Sequence, residues 1–204
     1  KAISRPSGVQ AVRLTLTRGV DRGRGLAVAG KATPTLVIRA TPRAEPDASP
    51  STLRVILAAA RRNEASPLSR IKSLAYTEGV VARLEARRAG AGDALFLNTA
   101  GRLACGTSSN LFLVRDGVLL TPPVQEGVLP GIARRTILEL AASLVIAAQE
   151  RPLSLSDLDA AQEVFLTNVV SGPTPVVAVA GRTVGQGRTG PVTAVRSPEK
   201  RSTG

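Results

Sequence analysis

The chain has 204 residues, of which 43% are hydrophobic, so it is long enough to bury a core in one or two domains. Its single cysteine excludes an internal disulfide, the lack of histidine argues against a metal site, and no run of about 18 apolar residues predicts a membrane span. The formal net charge of +12 would suit nucleic-acid binding. The arginines are dispersed along the chain, however, and four aromatic residues are too few to stack bases, so a nucleic-acid-binding role is not favoured.

The N-terminal part of the chain has the pattern of β-strands. Residues 11–17 alternate apolar and polar side chains, which is typical of a half-buried strand, and residues 36–40 predict a second strand. The apolar run at 53–60 is compatible with either a strand or a helix. The polar loop that follows it favours a strand.

The rest of the chain mixes predicted helices and strands. A helix is predicted over 77–89, with Val80, Val81 and Leu84 on one face. A second helix begins at Pro130-Gly131 and runs to about Leu144. The turns and apolar alternation predict further strands at 93–98, 109–114, 118–120, 163–167 and 175–179.

Lys72 is one of only two lysines that lie away from the ends of the chain. The chain has 27 Lys and Arg residues, of which only four are lysine, so its composition is strongly biased toward arginine. A lysine amine can lose its proton and form a Schiff base with a carbonyl group, whereas a guanidinium group cannot. From the count alone, a covalent role and an ordinary surface lysine both stay open.

Six blocks of sequence stand in a characteristic order and spacing. They are IKSLAY at 71–76, DALFLNTAGRL at 93–103, SNLFLVRDG at 109–117, LPGIAR at 129–134, AQEVFLTN at 161–168 and TPV at 174–176. Together they resemble the class IV pyridoxal-phosphate aminotransferases, a group that contains branched-chain and D-amino-acid aminotransferases and aminodeoxychorismate lyase. The resemblance covers about residues 11–192.

The resemblance implies an α/β (α+β) fold, that of a fold-type IV enzyme, with pyridoxal 5'-phosphate between two domains and a homodimeric assembly. We expect a small N-terminal α/β domain at 1–66, a larger C-terminal cofactor-binding domain with a mixed sheet or barrel at 67–192, and a disordered tail at 193–204. The chain has no methionine, and the phosphate-binding arginine of the family is not found in it. We therefore expect the N-terminal domain to be incomplete.

The resemblance also assigns the catalytic role. Lys72 matches the family's catalytic lysine, which would hold the cofactor as a Schiff base and then move a proton at the α-carbon of the substrate. Tyr76 falls near the position where relatives place a tyrosine beside the cofactor. Packing at the start of a helix is the alternative for Tyr76.

Two further segments are implied in binding the cofactor's phosphate. Backbone N–H groups at the start of a helix bind phosphate without a particular side chain, which suits Gly131, Ile132 and Ala133. Ordinary helix-start chemistry is the alternative interpretation of this block. Asn168 and Val169 match a second loop on the phosphate side, and an asparagine at 168 is similar to the lyase branch of the family.

Cys105 is the main departure from the family pattern. Relatives usually carry a glutamate there, whose carboxylate pairs with the pyridinium nitrogen of the cofactor. A thiol is a weak donor and a poor acceptor, so either another group takes this role or the ring is less protonated. A small packing residue is the alternative for Cys105.

Substrate binding is assigned to two arginines. Arg18 and Arg24 lie where relatives place residues that meet the substrate carboxylate, and guanidinium groups suit bidentate carboxylate recognition. A solvated turn is the alternative.

The leading functional hypothesis is transfer of an amino group between an amino acid, branched-chain or D, and a 2-oxo acid. The alternative is aminodeoxychorismate lyase, which releases pyruvate and 4-aminobenzoate for folate synthesis. A third hypothesis is a catalytically inactive scaffold that serves as a basic binding protein. A single cysteine suits a reducing cytoplasm, which is the location that we expect.

Overall fold

The chain forms two compact units by its internal contacts. They are Lys1–Ser49 and Pro50–Gly204. The computed structural model describes residues 10–20, 30–42 and 52–194. The division falls earlier than the boundary expected after residue 66, because the strand that follows Pro50 pairs with other strands of the second unit.

The first unit contains an antiparallel pair of strands, as predicted, but the half-buried face expected for the first strand is not observed: Val12, Leu14 and Leu16 are 57%, 65% and 69% exposed. Strand β1 (Gln10–Thr17) pairs with β2 (Thr35–Pro42) along its whole length, from Gln10 opposite Pro42 to Thr17 opposite Thr35. Among the residues described between these strands, the Arg18 guanidinium donates to the carbonyl of Gly30 at 3.2 Å.

The second unit is built on a nine-stranded mixed sheet. Its strands are β3 (Leu53–Arg62), β4 (Asp93–Asn98), β5 (Leu103–Gly106), β6 (Asn110–Arg115), β7 (Val118–Thr121), β8 (Ala148–Glu150), β9 (Glu163–Asn168), β10 (Gly172–Val179) and β11 (Arg182–Thr183). Strands β3, β4, β5, β6, β9 and β10 close into a ring, because β10 pairs with both β9 and β3. This six-stranded barrel confirms the mixed sheet or barrel that was predicted for the larger domain.

Within residues 52–194, four α-helices and two short 3₁₀ turns accompany the barrel. The 3₁₀ turns span Pro67–Arg70 and Val124–Glu126, and the helices are α1 (Thr77–Arg88), α2 (Ile132–Ser143), α3 (Leu155–Asp159) and α4 (Pro191–Ala194). None of the helices in the described part of the chain has the length and apolar character that a membrane crossing needs.

The barrel separates three buried clusters. Its interior is aliphatic, with residues such as Leu95, Leu111 and Leu166 contributed by alternate positions of the six strands. Outside the ring, a second cluster joins α1 to Ala94 and Phe96 of β4. The third cluster lies beneath α2 and contains the stacked rings of Phe112 and Phe165, whose centroids are 5.0 Å apart; the few aromatic residues are thus used mostly outside the barrel.

The C-terminal helix α4 is attached to the barrel by one buried carboxylate. Glu163 accepts hydrogen bonds from the backbone N–H groups of Val192 (3.0 Å) and Thr193 (2.8 Å) and from the Thr193 hydroxyl (2.6 Å). These contacts give Thr193 a buried position in a helix, although residues 193–204 were expected to form a disordered tail. Residues 195–204 lie outside the described part of the chain.

Candidate active site

A row of side chains on the outer face of the barrel forms the base of the candidate site. The strand register places Phe96 opposite Cys105, Cys105 opposite Asn110, and Asn110 opposite Thr167. Residues directly opposite one another in neighbouring strands project to the same face of the sheet. Four strands therefore present Phe96, Cys105, Asn110 and Thr167 side by side.

The start of helix α2 lies against this row. A methyl group on Gly131 would overlap the amide oxygen of Asn110 and lie 3.3 Å from its amide carbon, so the backbone of Gly131 touches the Asn110 side chain. The Asn110 amide nitrogen in turn donates to the carbonyl of Leu129 at 2.9 Å. Asn110 therefore fixes the loop that leads into α2, and the predicted phosphate segment lies beside the Cys105 row.

The first turn of α2 has no side-chain cap among the described residues. Gly131 occupies the N-cap position, and its lack of a side chain leaves the leading N–H groups without the usual acceptor. The first N–H groups of a helix have no partner within the helix and carry partial positive charge. Ile132 and Ala133 thus begin a 12-residue helix whose leading amides suit an anion.

Lys72 lies in an irregular segment between the 3₁₀ turn Pro67–Arg70 and helix α1. Its side chain is exposed, and its ammonium group donates to the Tyr76 hydroxyl at 3.2 Å and lies 5.1 Å from the centre of the Tyr76 ring. Tyr76 occupies the N-cap position of α1. The two residues that the sequence assigns to the catalytic segment are therefore in direct contact.

Helix α1 connects the Lys72 segment to the end of β5. A methyl group on Gly79 would lie 2.8 Å from the carbonyl oxygen of Thr107 and 3.6 Å from the Tyr76 ring, so α1 approaches Thr107 closely. An open cavity of about 270 Å³ lies at this junction. It is lined by Tyr76, Gly79, Val80, Arg83, Leu84, Thr107 and Ser108. Tyr76 and Thr107 thus share one cavity, and Thr107 is only two residues beyond Cys105 in the chain.

Cys105 is buried within the row. Its thiol is free, and burial raises the pKa of this thiol to about 11, while the nearby positive charge of Arg62 acts in the opposite direction. Burial disfavours the charged thiolate, so the group is neutral near neutral pH. Cys105 therefore offers no anion at the position where the resemblance to the family implies a carboxylate.

The loop after β9 contains the second predicted phosphate segment. The Asn168 side-chain oxygen accepts from the backbone N–H groups of Val170 (2.9 Å) and Ser171 (2.8 Å), so Asn168 shapes the turn. Val169 is exposed. The hydroxyl of Thr167 is buried and lacks a hydrogen-bond partner among the described residues, which marks an unsatisfied polar group in the row.

Neither predicted substrate arginine belongs to the unit that contains the row. Arg18 belongs to the first unit, and Arg24 lies outside the described residues. Asn110 is a site residue whose role the sequence did not reveal. The one feature of the sequence that could have pointed to Asn110 is that a polar amide side chain begins an otherwise apolar strand.

These residues fit part of pyridoxal phosphate. The uncapped start of α2 and the unsatisfied Thr167 hydroxyl suit a phosphate group, and the absence of a side chain at Gly131 lets α2 begin directly against Asn110. Lys72 supplies an amine for the aldehyde. At the ring nitrogen the fit is weaker, since Cys105 offers a neutral thiol.

Comparisons with known proteins identify relatives of this chain in sequence and in fold. The chain is 36% identical over 184 residues to a relative from Methanocaldococcus jannaschii, a match that covers 89% of this chain and 63% of the relative. The structure resembles Escherichia coli branched-chain amino acid aminotransferase with a TM-score of 0.84 and 33% identity, over 90% of this chain and 61% of that chain.

A second structural neighbour belongs to the lyase branch. A candidate 4-amino-4-deoxychorismate lyase from Legionella pneumophila matches with a TM-score of 0.79 and 31% identity, over 89% of this chain and 65% of that chain. The chain therefore spans less than two thirds of the length of each of these proteins.

The family itself is defined by a match over nearly the whole chain. The model described as amino-transferase class IV matches residues 2–179, which include Lys72, Cys105, Gly131 and Asn168. The predicted fold-type IV architecture is confirmed by the same match and by the structural neighbours. This chain belongs to the class IV aminotransferase family.

Proposed function

We propose that this protein is a pyridoxal-phosphate-dependent aminotransferase that moves an amino group between an amino acid and a 2-oxo acid. The proposal is supported by the contact between the start of α2 and the row formed by Cys105, Asn110 and Thr167. At the end of β5 in the same barrel, α1 connects this row to the Lys72–Tyr76 segment. Branched-chain amino acids are the favoured substrates, because the Escherichia coli structural neighbour is named as an aminotransferase of branched-chain amino acids.

Lys72 carries the chemistry in this proposal. Its Nζ would hold the cofactor through the aldehyde group and, when free, would be the base that removes the proton from the substrate α-carbon. When bound, pyridoxal phosphate supplies the electron sink for this proton transfer. The Tyr76 hydroxyl, 3.2 Å from Nζ, orients the amine.

The remaining residues hold the cofactor. The backbone N–H groups of Ile132 and Ala133 would bind the phosphate at the start of α2, and Gly131 allows α2 to begin directly against Asn110. Asn168 would keep the loop at Val169 in position through its two backbone hydrogen bonds. Arg18 and Arg24 are proposed to meet the substrate carboxylate.

Turnover with matched variants tests this proposal. The protein, loaded with pyridoxal phosphate, is incubated with a branched-chain amino acid and 2-oxoglutarate, and glutamate formation is measured. Lys72→Ala should abolish turnover, whereas Arg70→Ala, two residues earlier and also exposed, should retain it. Equal turnover by wild type and Lys72→Ala would contradict the assignment.

Aminodeoxychorismate lyase is the second candidate. The Legionella pneumophila neighbour and the asparagine at 168 favour it. Incubation with aminodeoxychorismate separates the two activities, because a lyase releases pyruvate without a 2-oxo-acid acceptor and a transaminase requires one. An inactive basic scaffold is the third candidate, supported by Cys105 and by the net charge of +12. It would show neither activity.

The assembly and location are proposals of the same kind. We propose a homodimer, because Val80, Val81 and Leu84 of α1 are about half exposed and form an apolar strip suited to a partner. Light scattering at micromolar concentration would measure twice the chain mass. A cytoplasmic location is supported by the single buried cysteine, which suits a reducing compartment.

A further inference from the structure

Arg62 is a cationic side chain with three separate partners. This last residue of β3 donates from Nε to the carbonyl of Gly127 (3.2 Å), from one terminal nitrogen to the carbonyl of Ser69 (3.2 Å), and from the other to the carboxylate of Glu78 (3.4 Å). Its side chain is 23% exposed. Most of the guanidinium group is therefore engaged in bonds within the protein.

These three partners lie on the segments that surround the candidate site. Ser69 is in the 3₁₀ turn that precedes Lys72, and Glu78 is in the first turn of α1 that follows it. Gly127 begins the short stretch that leads to Gly131 and α2. One side chain thus links both ends of the Lys72 segment to the approach of the proposed phosphate site.

The Lys72 segment depends on its two ends for its position. Between the 3₁₀ turn and α1, its backbone hydrogen bonds are local ones, such as Ser73 N–H to the carbonyl of Ile71 (2.9 Å) and Tyr76 N–H to that of Leu74 (3.0 Å). We propose that Arg62 is a positioning residue, which fixes the Lys72 segment relative to the start of α2. This inference rests on the proposed function and adds a residue to it that no sequence motif identifies.

Arginine is suited to this task in a way that lysine is not. Two of the three partners are backbone carbonyls in different loops, and the third is a carboxylate. A planar guanidinium group can donate in three fixed directions at once, whereas an ammonium group is a single point on a flexible stem. Arg62→Lys keeps the charge near Glu78 but cannot span both Ser69 and Gly127.

Hydrogen exchange in the protein without cofactor provides the first test. Arg62→Gln and Arg62→Lys are compared with Arg61→Gln, a change at the preceding exposed arginine of the same strand. We expect amide exchange to accelerate about tenfold in both 66–78 and 127–131 in the two Arg62 variants and to stay unchanged in the control. Acceleration in only one segment, or in neither, overturns the proposal.

Trapping at Lys72 provides the second test. Pyridoxal phosphate is added, the adduct is reduced with borohydride, and the rate of labelling at Lys72 is followed by peptide mass spectrometry. Misplacement by about an ångström lowers the rate about tenfold to 100-fold, so both Arg62 variants should label slowly and Arg61→Gln normally. Wild-type labelling by Arg62→Lys would show that charge alone suffices and would overturn the proposal.

The two readouts separate this inference from the proposed function. If the wild type is not labelled at Lys72, the proposed function fails, while the exchange experiment still decides whether Arg62 holds the two segments. If Arg62→Gln does not fold, Arg62→Lys keeps the stem and the charge and is judged by the same two criteria.

Discussion

Replacement of Gly131 by alanine tests the contact between α2 and the barrel. The backbone angles of Gly131 (φ −70°, ψ 141°) are ordinary for alanine, so the change introduces no backbone strain. Its effect is steric, because the new methyl group would overlap the Asn110 side chain, which is 6% exposed. Asn110 must move and lose its 2.9 Å hydrogen bond to Leu129.

The size of the effect follows from two contributions. Loss of a buried hydrogen bond that leaves a partner unsatisfied costs about 1–3 kcal/mol, and forcing a methyl group into a packed site costs about 1–3 kcal/mol. Gly131→Ala should therefore lower the free energy of unfolding by about 2–6 kcal/mol. Because the leading amides of α2 shift with Gly131, the affinity for pyridoxal phosphate should also fall.

A double-mutant cycle measured by urea unfolding is the assay. Asn110→Ala alone should cost about 1–3 kcal/mol, for the lost hydrogen bond. In the double variant, the methyl group introduced at position 131 occupies space that the shorter side chain at position 110 vacates. The combined cost should therefore be lower than the sum by about 1–3 kcal/mol. Additive costs would refute the direct contact on which the site geometry depends.

Three further predictions concern stability. Val145, just after α2, has a φ of 56°, which is strained for a residue with a side chain, and is 93% exposed. Val145→Gly should remove this strain and raise the free energy of unfolding, measured in urea, by about 0.5–1 kcal/mol. A decrease would show that the backbone is not strained there. Burial raises the pKa of the Cys105 thiol from 9.0 to about 11. Between these two pH values the unfolded state releases a proton that the folded state keeps. The free energy of unfolding, measured relative to that of Cys105→Ser, should therefore fall by on the order of 2–3 kcal/mol between about pH 9 and pH 11. Curves of unfolding free energy against pH that stay parallel for the two proteins would contradict this. Glu163→Gln replaces an acceptor of three bonds, so proteolytic cleavage in 190–194 should accelerate, whereas an unchanged cleavage rate would show that α4 is held by other contacts.

Much of the barrel could be predicted because its long strands have clear apolar patterns. The ambiguous run at 53–60 became β3, a strand with parallel neighbours on both sides, which explains its nearly continuous apolar character. Strand β5 was not predicted, since four residues with mostly small side chains give no periodicity. Helix α3 was also missed, although Ser154 and Asp157 form a capping box that the sequence does contain.

The candidate site was predictable only where a residue type carries the chemistry. Lys72 and Gly131 stand out because an amine and a helix start have recognisable patterns. Arg62 and Asn110 do not stand out, since their partners include the backbone carbonyls of Gly127 and Leu129 in remote loops. A backbone carbonyl is the same at every position, so the sequence gives no sign of which one a side chain will reach.

Covalent capture of the cofactor tests the central claim most directly. The protein is mixed with pyridoxal phosphate, reduced with borohydride, digested and analysed by mass spectrometry, with Lys72→Arg as the matched control. We expect one stoichiometric pyridoxyl-phosphate group on the peptide that contains Lys72 and none on that peptide in Lys72→Arg. Labelling spread over Lys1, Lys31 and Lys200 with no preference for Lys72 would contradict it.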